Sequence, residues 1–487
     1  MKNGIMLKGN LTLKEEMNSD RHAQFSSERQ NYWNAFAAKA PRYYQNRLGE
    51  VYEFLVPPGV RVLELGCGQG DLLARLRPSY GVGVDFSPPM IEHAKVRHPG
   101  LTFIQTDVHS LDLREQFDVI VCSDFVNDVW DVQQVFRIAA AHSHQGTRLI
   151  LNTSSKAWEV PRRASERIGL ARRVLPQNWL TVEDISNLLY LVDFEVIRSF
   201  QDIMWPFRTP FVATMLNRYL VKLTPFNWFG LTNFIIARPT PKAPVSGTEP
   251  VVSVIIPARN EEGNIKNIFD RVPAMGAGTE LIFIEGHSTD NTSSAIEREI
   301  ASRPGCRAKL FHQTGKGKGD AVRLGFANAA GDLLMILDAD LTVQPEDLVR
   351  FYEAWRSGKG EFINGVRLVY PMEREAMRFI NLIGNKLFSI SFSWLLGQSI
   401  KDTLCGTKVL SRRHYELIAA NRSYFGLLDP FGDFDLIFGA ARYNLRIADL
   451  PIRYRERTYG ETNIQRWRHG LLLLQMVLLA LRKIKFI

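Results

Sequence analysis

Cysteine is scarce: the chain has four in 487 residues. Cys67, Cys122, Cys306 and Cys405 are scattered with no C-x-x-C pair, which indicates neither a zinc site nor a disulfide framework and fits a reducing compartment. Long apolar runs are missing as well. Leu471–Leu481, apolar apart from Gln475, makes a helix of about 16 Å against a hydrocarbon core of about 30 Å, too short to span alone. Residues 1–29 lack the apolar stretch of a secretion signal, and 1–30 read as a loose leader. No arginine-rich tail or interleaved aromatic pattern points to nucleic acid. Acidic residues are in deficit, 51 against 60 basic for a net charge of +9. That balance favours anionic partners such as phosphorylated metabolites or an anionic membrane surface.

What is present reads as folded protein, with 45% hydrophobic and 23% charged residues. The length calls for two or three domains. The most informative stretch is Leu333–Leu341. Five apolar residues, read as a buried strand, run into Asp338-Ala339-Asp340. Two carboxylates at a strand's C-terminal edge repel unless a cation lies between them. Mg²⁺ or Mn²⁺ suits such hard oxygen ligands and commonly shares them with substrate phosphates.

In the first half, residues 31–54 read as a helix with an apolar stripe for the core. Val60–Leu65 then runs as a strand into Gly66-Cys67-Gly68-Gln69-Gly70. The spacing excludes two familiar loops: a dinucleotide fingerprint needs glycine where Asp71 stands, and a P-loop needs G-K-[ST]. The next strand, Tyr80–Val84, ends at Asp85, a position suited to ribose hydroxyls. Strands at 101–105 and 117–121 complete an alternation that predicts a parallel α/β sheet. These pieces, Glu64–Gly70, Gly83–Asp85, Thr106–Val108 and Phe117–Ile120, resemble class I S-adenosylmethionine-dependent methyltransferases over 31–238. The resemblance implies that Glu64, Gly66, Gly68, Gly70, Asp85, Asp107 and Val108 bind the cofactor: the glycines at its methionine part, Asp85 at the ribose, and Asp107 with Val108 at the adenine. Asp124, Asp128, His142 and His144 are candidates for removing an acceptor proton. The aromatic stretch Phe211–Phe229, with Arg218 and Lys222 in it, could touch a lipid, but packing under the strand at 231–237 explains it more simply. Prolines crowd 239–250, a stiff linker and the expected domain boundary.

In the second half, strands at 251–256, 281–284 and 333–337 alternate with helices, so a second doubly wound α/β domain is expected. Pro257–Glu261, Glu285–Thr292, Gly317-Lys318-Gly319, Asp338-Ala339-Asp340, Gly365–Arg367 and Arg457–Asn463 occur in order. They resemble the non-processive family 2 glycosyltransferases of GT-A fold, and among these the dolichol- or polyprenyl-phosphate hexose synthases, over 251–470. The resemblance implies a nucleotide-sugar site formed by Pro257, Arg259, Glu261, Glu285, Lys318, Asp338, Ala339, Asp340, Arg367 and Arg457. Asp338 and Asp340 would hold the metal, and Arg457 would clamp phosphate. Two positions depart from the pattern: Asn463 replaces the family's last lysine, and Gly286-His287 displaces an aspartate.

A lipid-phosphate acceptor is already anionic and needs no strong base, whereas a sugar hydroxyl does; for that case Asp433 and Asp435 are the candidates, Asp433 the favoured one. Phe379, Ile383, Leu387, Ile390 and Trp394 share one face of a helix that would suit either an interface or a core. The tail 471–487, ending in Arg482, Lys483 and Lys485, suits an anionic lipid surface. The expectation is therefore a cytoplasmic enzyme, peripheral on the inner face of a membrane. It would carry a hexose from a nucleotide-sugar to a polyprenyl phosphate or glycolipid, and a methyl group to an unidentified acceptor. The alternative is transfer to a sugar hydroxyl in polysaccharide assembly, with the first domain acting only as a docking module.

Overall fold

The computed structural model describes residues 20–34, 42–169, 173–241, 249–367, 369, 379–425, 432–455, 457, 459 and 466–487. The positions of Gly460, Thr462, Asn463 and Arg172 lie outside the described residues, as do the side chains of Phe379 and Ile383. The chain divides into two compact units, Met1–Thr240 and Pro241–Phe486, with Ile487 grouped with the first.

The first unit is built on β1 (Arg61–Leu65), β2 (Tyr80–Asp85), β3 (Thr102–Gln105), β4 (Phe117–Cys122), β5 (Ser143–Ser154), β6 (Phe194–Asp202) and β7 (Thr232–Pro239). They lie in the order β3-β2-β1-β4-β5-β7-β6. The expected parallel sheet holds from β3 to β5, while β7 runs antiparallel to both β5 and β6. The order reverses between β1 and β4, and ligands of open α/β sheets bind at the carboxyl ends of strands beside such a reversal. Leu63, Val82, Ile120 and Leu149 form one continuous core across the strands. The helix Arg42–Leu55 buries Leu48, Val51, Tyr52 and Leu55, the core role expected of its stripe. Tyr52 anchors it by donating to Asn152 Oδ1 at 2.8 Å.

Two expectations for this unit are corrected. Residues 20–34, read as mostly leader, form a helix. Polar on most faces, it has no clean apolar period to announce it, and it is held by specific contacts described below. Phe211–Phe229 does not pack under β7: Phe211, Met215, Tyr219, Phe226, Trp228 and Phe229 are exposed. The buried positions of that stretch are Ala213, Asn217 and Val221, so none of its rings faces inward.

The second unit holds β8 (Val251–Ala258), β9 (Gly278–Glu285), β10 (Ala308–His312), β11 (Leu333–Ile336), β12 (Phe362–Val366), β13 (Lys408–Ser411) and β14 (Ile447–Pro451). Their order is β10-β9-β8-β11-β13-β12-β14. β8 to β11 are parallel, and β13 is antiparallel to β11 and β12. The reversal falls between β8 and β11, so their C-terminal ends define the ligand edge. Helices Phe379–Leu396 and Arg466–Ala480 contact each other. Among the described residues, no helix is long and apolar enough to cross a membrane.

Candidate functional site

In the first unit the loop after β1 is shaped by close approach. Gly66 has φ +76°, and a Cβ there would run into the Phe125 ring. Gly66 and Cys67 donate to the Val84 carbonyl at 2.8 and 3.0 Å, which ties the loop to the end of β2. The Gly68 N–H donates to Asp85 Oδ2, and the Ser87 N–H to Asp85 Oδ1, both at 2.9 Å. Burial raises the Asp85 pKa against these two donors. Beneath the loop, Glu64 is 2% exposed. Burial pushes its carboxyl up to about 8, and Oε2 has no hydrogen-bond partner. An acid in that state is complementary to a cation, which fits the ammonium end of an amino-acid-bearing cofactor. Asp107 and Val108 lie beyond β3, with Val108 buried. Burial would raise the Asp107 pKa, but donors from His109 bring it down to about 2.

A cavity of about 40 Å³ lies among Asp85, Asp107, Val108, Phe125 and Asp128. Helix 20–34 supplies its remaining wall with Phe25, Ser26 and Arg29. Ser26 Oγ donates to Asp107 Oδ2 at 3.3 Å, and Gln30 Nε2 to the Phe86 carbonyl at 3.4 Å. Arg29 is 4% exposed and donates to the Pro176 carbonyl. A nucleoside-sized ligand needs roughly 300 Å³ or more, so entry requires residues 20–34 to move. His22, Asp107 and His109 bring their polar atoms within 4.8 Å of one another, yet they do not make a metal centre. His109 Nε2 accepts the Asp131 N–H at 3.2 Å, so Nδ1 carries the ring proton and donates it to Asp107 at 2.6 Å.

Of the proton acceptors considered, Asp124 follows β4 at the loop's edge of the sheet. It accepts from Tyr44 Oη at 3.0 Å and Asn152 Nδ2 at 2.5 Å, and burial lifts it to about 6. Asp128 lines the cavity, and burial raises it against the pull of Arg29. His142 and His144 sit at the opposite edge, around the start of β5. His142 uses both nitrogens on the backbone of Leu113 and Ile138, and His144 Nδ1 accepts from the Gly146 N–H. Neither reaches the loop after β1.

The second unit assembles its residues from loops that are far apart in the chain. Pro257 is half-buried at the end of β8 and Arg259 is exposed. Two loops are zipped together: the Glu261 N–H donates to Thr292 Oγ1 at 2.9 Å and the Thr289 N–H to Asn260 Oδ1 at 2.8 Å. Glu285 accepts the Ser288 N–H at 2.5 Å, and such donors hold its pKa down although burial opposes them. Glu261 is 5% exposed, and burial raises it to about 7 against the attraction of Arg457. Asp338 and Asp340 follow β11 and Ala339 between them is buried.

Each aspartate of that pair faces a cation. Lys318 Nζ lies 2.5 Å from Asp338 Oδ1, and an Arg457 guanidinium nitrogen lies 2.8 Å from Asp340 Oδ2 and another 3.4 Å from Glu261. Burial works against the Asp338 charge, but Lys318 with Lys408 and Arg367 keeps its pKa below the ordinary carboxylate value. Arg367 makes a two-pronged pair with Asp402 at 2.7 and 2.9 Å. The Gly317–Gly319 loop meets the loop carrying Asp433 backbone to backbone: a Cβ on Gly319 would lie 2.9 Å from the Gly432 Cα, and Gly432 itself has φ +74°. That contact brings Asp433 to the charge cluster, where it pairs at 3.0 Å with Lys408.

Lys408 and Asp402 were missed from the sequence. Lys408 is fully buried at the start of β13 and also donates to the Cys405 carbonyl. The available signal was a charged residue opening an apolar strand directly after Gly406-Thr407, since a buried lysine requires a partner.

Residues 253–418 match the model of the family "Glycosyl transferase family 2", and residues 57–190 match that of "Methyltransferase domain". The chain joins a methyltransferase domain to a family 2 glycosyltransferase domain. Relatives cover less than half of this chain. The low-salt glycan biosynthesis hexosyltransferase Agl6 of Haloferax volcanii is 28% identical over 46% of this chain and 53% of its own. An undecaprenyl-phosphate 4-deoxy-4-formamido-L-arabinose transferase of Edwardsiella ictaluri is 29% identical over 43% of this chain and 62% of its own. The dolichol-phosphate mannosyltransferase of Pyrococcus furiosus is 28% identical over 44% and 59%. The chain thus spans little more than half the length of these relatives. Among solved structures, an S-adenosylmethionine-dependent methyltransferase of Thermotoga maritima aligns with 45% of this chain and 98% of its own, at 17% identity and a TM-score of 0.33.

Proposed function

We propose that the glycosyltransferase domain moves a hexose, with inversion, from a nucleotide diphosphate donor to a polyprenyl phosphate at a membrane surface. The observation that carries this is the pairing of both aspartates after β11 with cations, Asp338 with Lys318 and Asp340 with Arg457. The edge is built to hold positive charge on hard oxygens, which fits Mg²⁺ or Mn²⁺ on Asp338 and Asp340. A divalent ion there supplies charge neutralisation for a departing nucleotide diphosphate. Lys318 and Arg457 are placed to release their carboxylates to it and turn to phosphate oxygens, with Arg457 offering a planar fork. Glu261, Glu285, Pro257 and Arg259 frame the nucleoside side of the edge.

The acceptor reading rests on Asp433. Its carboxylate is paired with a fully buried ammonium, and taking up a proton would leave that ammonium uncompensated. Such a carboxylate suits positioning better than general-base work, and a lipid phosphate oxygen needs no base. The relatives named for dolichol and undecaprenyl phosphate support the same choice. Membrane association is supported by an inverted helix face. Leu387 and Ile390 of Phe379–Leu396 are exposed while Ser389 is buried, and Leu471, Leu474 and Leu478 of Arg466–Ala480 are exposed. Lys386, Arg482 and Lys483 are exposed on the same two elements, as an anionic interface would want.

For the methyltransferase domain we infer S-adenosylmethionine as cofactor, with Glu64 at its ammonium, Asp85 at its ribose, Asp107 and Val108 at its adenine, and Asp124 as the group that takes an acceptor's proton. The deciding experiment uses the full chain. Transfer from a panel of nucleotide-sugars to polyprenyl phosphate in detergent is followed with Mn²⁺ and with chelator. Loss of transfer with chelator is expected, and activity is expected to survive in Lys408→Met with Asp433→Leu, which removes both partners of the buried pair. Activity only on sugar hydroxyls, abolished by that double substitution, would replace this reading with the polysaccharide one. Calorimetry of S-adenosylmethionine binding to the full chain and to Asp85→Ala tests the first domain.

A further inference from the structure

The connection from β6 to β7, Ile203–Leu231, leaves and re-enters the sheet at one edge. β6 runs in the same sense as β1–β5, because each is antiparallel or parallel through β7 to that set. Its C-terminal end therefore lies on the edge that carries the Gly66–Gly70 loop and Asp124. The base of the connection is pinned by polar groups. Asp202 is fully buried and accepts two bonds from Arg47 at 3.1 Å and one from Lys222. Asn217, 1% exposed, accepts the N–H groups of Met204 and Trp205 at 2.8 Å and donates to the Trp205 carbonyl at 2.7 Å. Asn217 also donates to Tyr43 Oη at 3.2 Å, next to the Tyr44 that holds Asp124.

Over that rigid base the outward side is apolar. Phe211 is 90% exposed and Trp228 70%, and Phe207, Met215, Tyr219 and Phe229 are exposed with them. Side chains of this size present a few hundred Å² of apolar surface together, the scale on which an exposed patch of a monomer is often a binding site. The charge of the segment identifies the occupant. From Ile203 to Leu231 the chain carries no acidic residue; its exposed charges are Arg208 and Arg218, while Lys222 is taken up by the buried Asp202. A second copy docking by the same face would set like charges against each other, which disfavours self-association. An anionic lipid surface meets both features, with Trp, Tyr and Phe rings at headgroup depth and arginines on phosphates.

We propose that Ile203–Leu231 seats the methyltransferase domain on an anionic bilayer, independently of the glycosyltransferase domain, and so holds the methyl-transfer edge at the headgroup layer. The test uses the full chain with large unilamellar vesicles of phosphatidylethanolamine and phosphatidylglycerol, some with brominated acyl chains. Bromine is expected to quench a component of tryptophan fluorescence that is missing in Trp228→Phe. Phe211→Ser combined with Trp228→Ser is expected to weaken vesicle binding about tenfold, as partial burial of two large side chains implies, with the thermal midpoint unchanged because both are exposed. Leu471→Ser with Leu474→Ser, on the other domain, should weaken binding yet leave the Trp228 quench intact at saturating lipid, so that the two surfaces are separable. The proposal is overturned if bromine quenches wild type and Trp228→Phe equally. It is overturned too if Trp228 is already shielded from iodide without vesicles, or if Phe211→Ser with Trp228→Ser dissolves a dimer in sedimentation velocity.

Discussion

The two candidate sites handle negative charge in opposite ways. In the methyltransferase domain Glu64, Asp85 and Asp124 are carboxyls that burial lifts above their ordinary values, held by backbone N–H groups, hydroxyls and amides rather than by cations. In the glycosyltransferase domain Asp338, Asp340, Asp402 and Asp433 each face lysine or arginine. The first arrangement is short of positive charge and suits a ligand that brings it, such as a sulfonium with an ammonium. The second has its cations in place and suits a ligand that brings anions and a metal. Four groups depart from this contrast: His109 draws Asp107 down to about 2, Asp128 faces Arg29, burial lifts Glu261 to about 7, and Glu285 is held by the Ser288 N–H.

The largest expected effect tests the charge-paired site. Asp338→Asn should lower kcat/KM for sugar transfer by roughly 10³, the scale of several kcal/mol that a metal supplies to a leaving diphosphate. Mn²⁺ should no longer raise the thermal midpoint in that variant. Equal activity with and without chelator would erase the contrast between the domains.

Next in size is the buried pair. Lys408→Met should destabilise the glycosyltransferase domain by roughly 3–5 kcal/mol, because Asp433 is left as a buried unpaired charge. Lys408→Met with Asp433→Leu should recover most of that, since replacing both partners of a buried pair by apolar groups is often neutral. Urea denaturation of the three proteins checks it. A double variant as unstable as the single one would mean that neither residue stabilises through the other.

How much of this was legible in the residues follows from period and burial. Strands with uninterrupted apolar runs, such as Val251–Ile256, and glycine loops directly after them announce themselves. β5 begins with polar His144, Gln145 and Gly146 and hides until Leu149. Helix 20–34 hides because its anchors are single polar contacts such as Ser26 to Asp107, which leave no periodic trace. The stretch 211–229 misled because aromatic residues were expected inside. Its buried positions, Ala213, Asn217 and Val221, are visible only once Asn217 is seen bonding the backbone of 204–205. The partners of Asp338 and Asp433 come from 20 and 25 residues away in sequence or more, and no local spacing encodes such pairs.

The unpaired site makes a pH prediction. The Glu64 carboxyl sits near 8 in the folded protein against an ordinary 4.5. The folded state therefore holds a proton that the unfolded chain releases, and stability declines as pH rises from about 4.5 to about 8. Glu64→Gln removes that decline. Its thermal midpoint relative to wild type should rise by several degrees between pH 6 and 8.5. A cationic ligand beside Glu64 favours the ionised form, so S-adenosylmethionine binding at pH 7 should release close to one proton, seen as calorimetric heats that vary with the buffer's ionisation enthalpy. In Glu64→Gln the release should largely vanish.

The smallest effect concerns the helix that closes over the same site. Phe25, Ser26 and Arg29 wall a cavity of about 40 Å³, and Phe25 meets Trp130 edge to face at 5.2 Å between ring centroids. That ring contact contributes about 0.5–1.5 kcal/mol, and it must break for a nucleoside to enter. Phe25→Ala should therefore speed S-adenosylmethionine association by a few-fold in stopped-flow fluorescence, by raising the population of the open form. Dissociation should change less, because Asp85 and Asp107 lie on the sheet side and stay in place. The donor of the other domain should bind at a rate that Phe25→Ala leaves unaltered. An association rate for S-adenosylmethionine that is the same in wild type and Phe25→Ala would show that residues 20–34 do not gate the site.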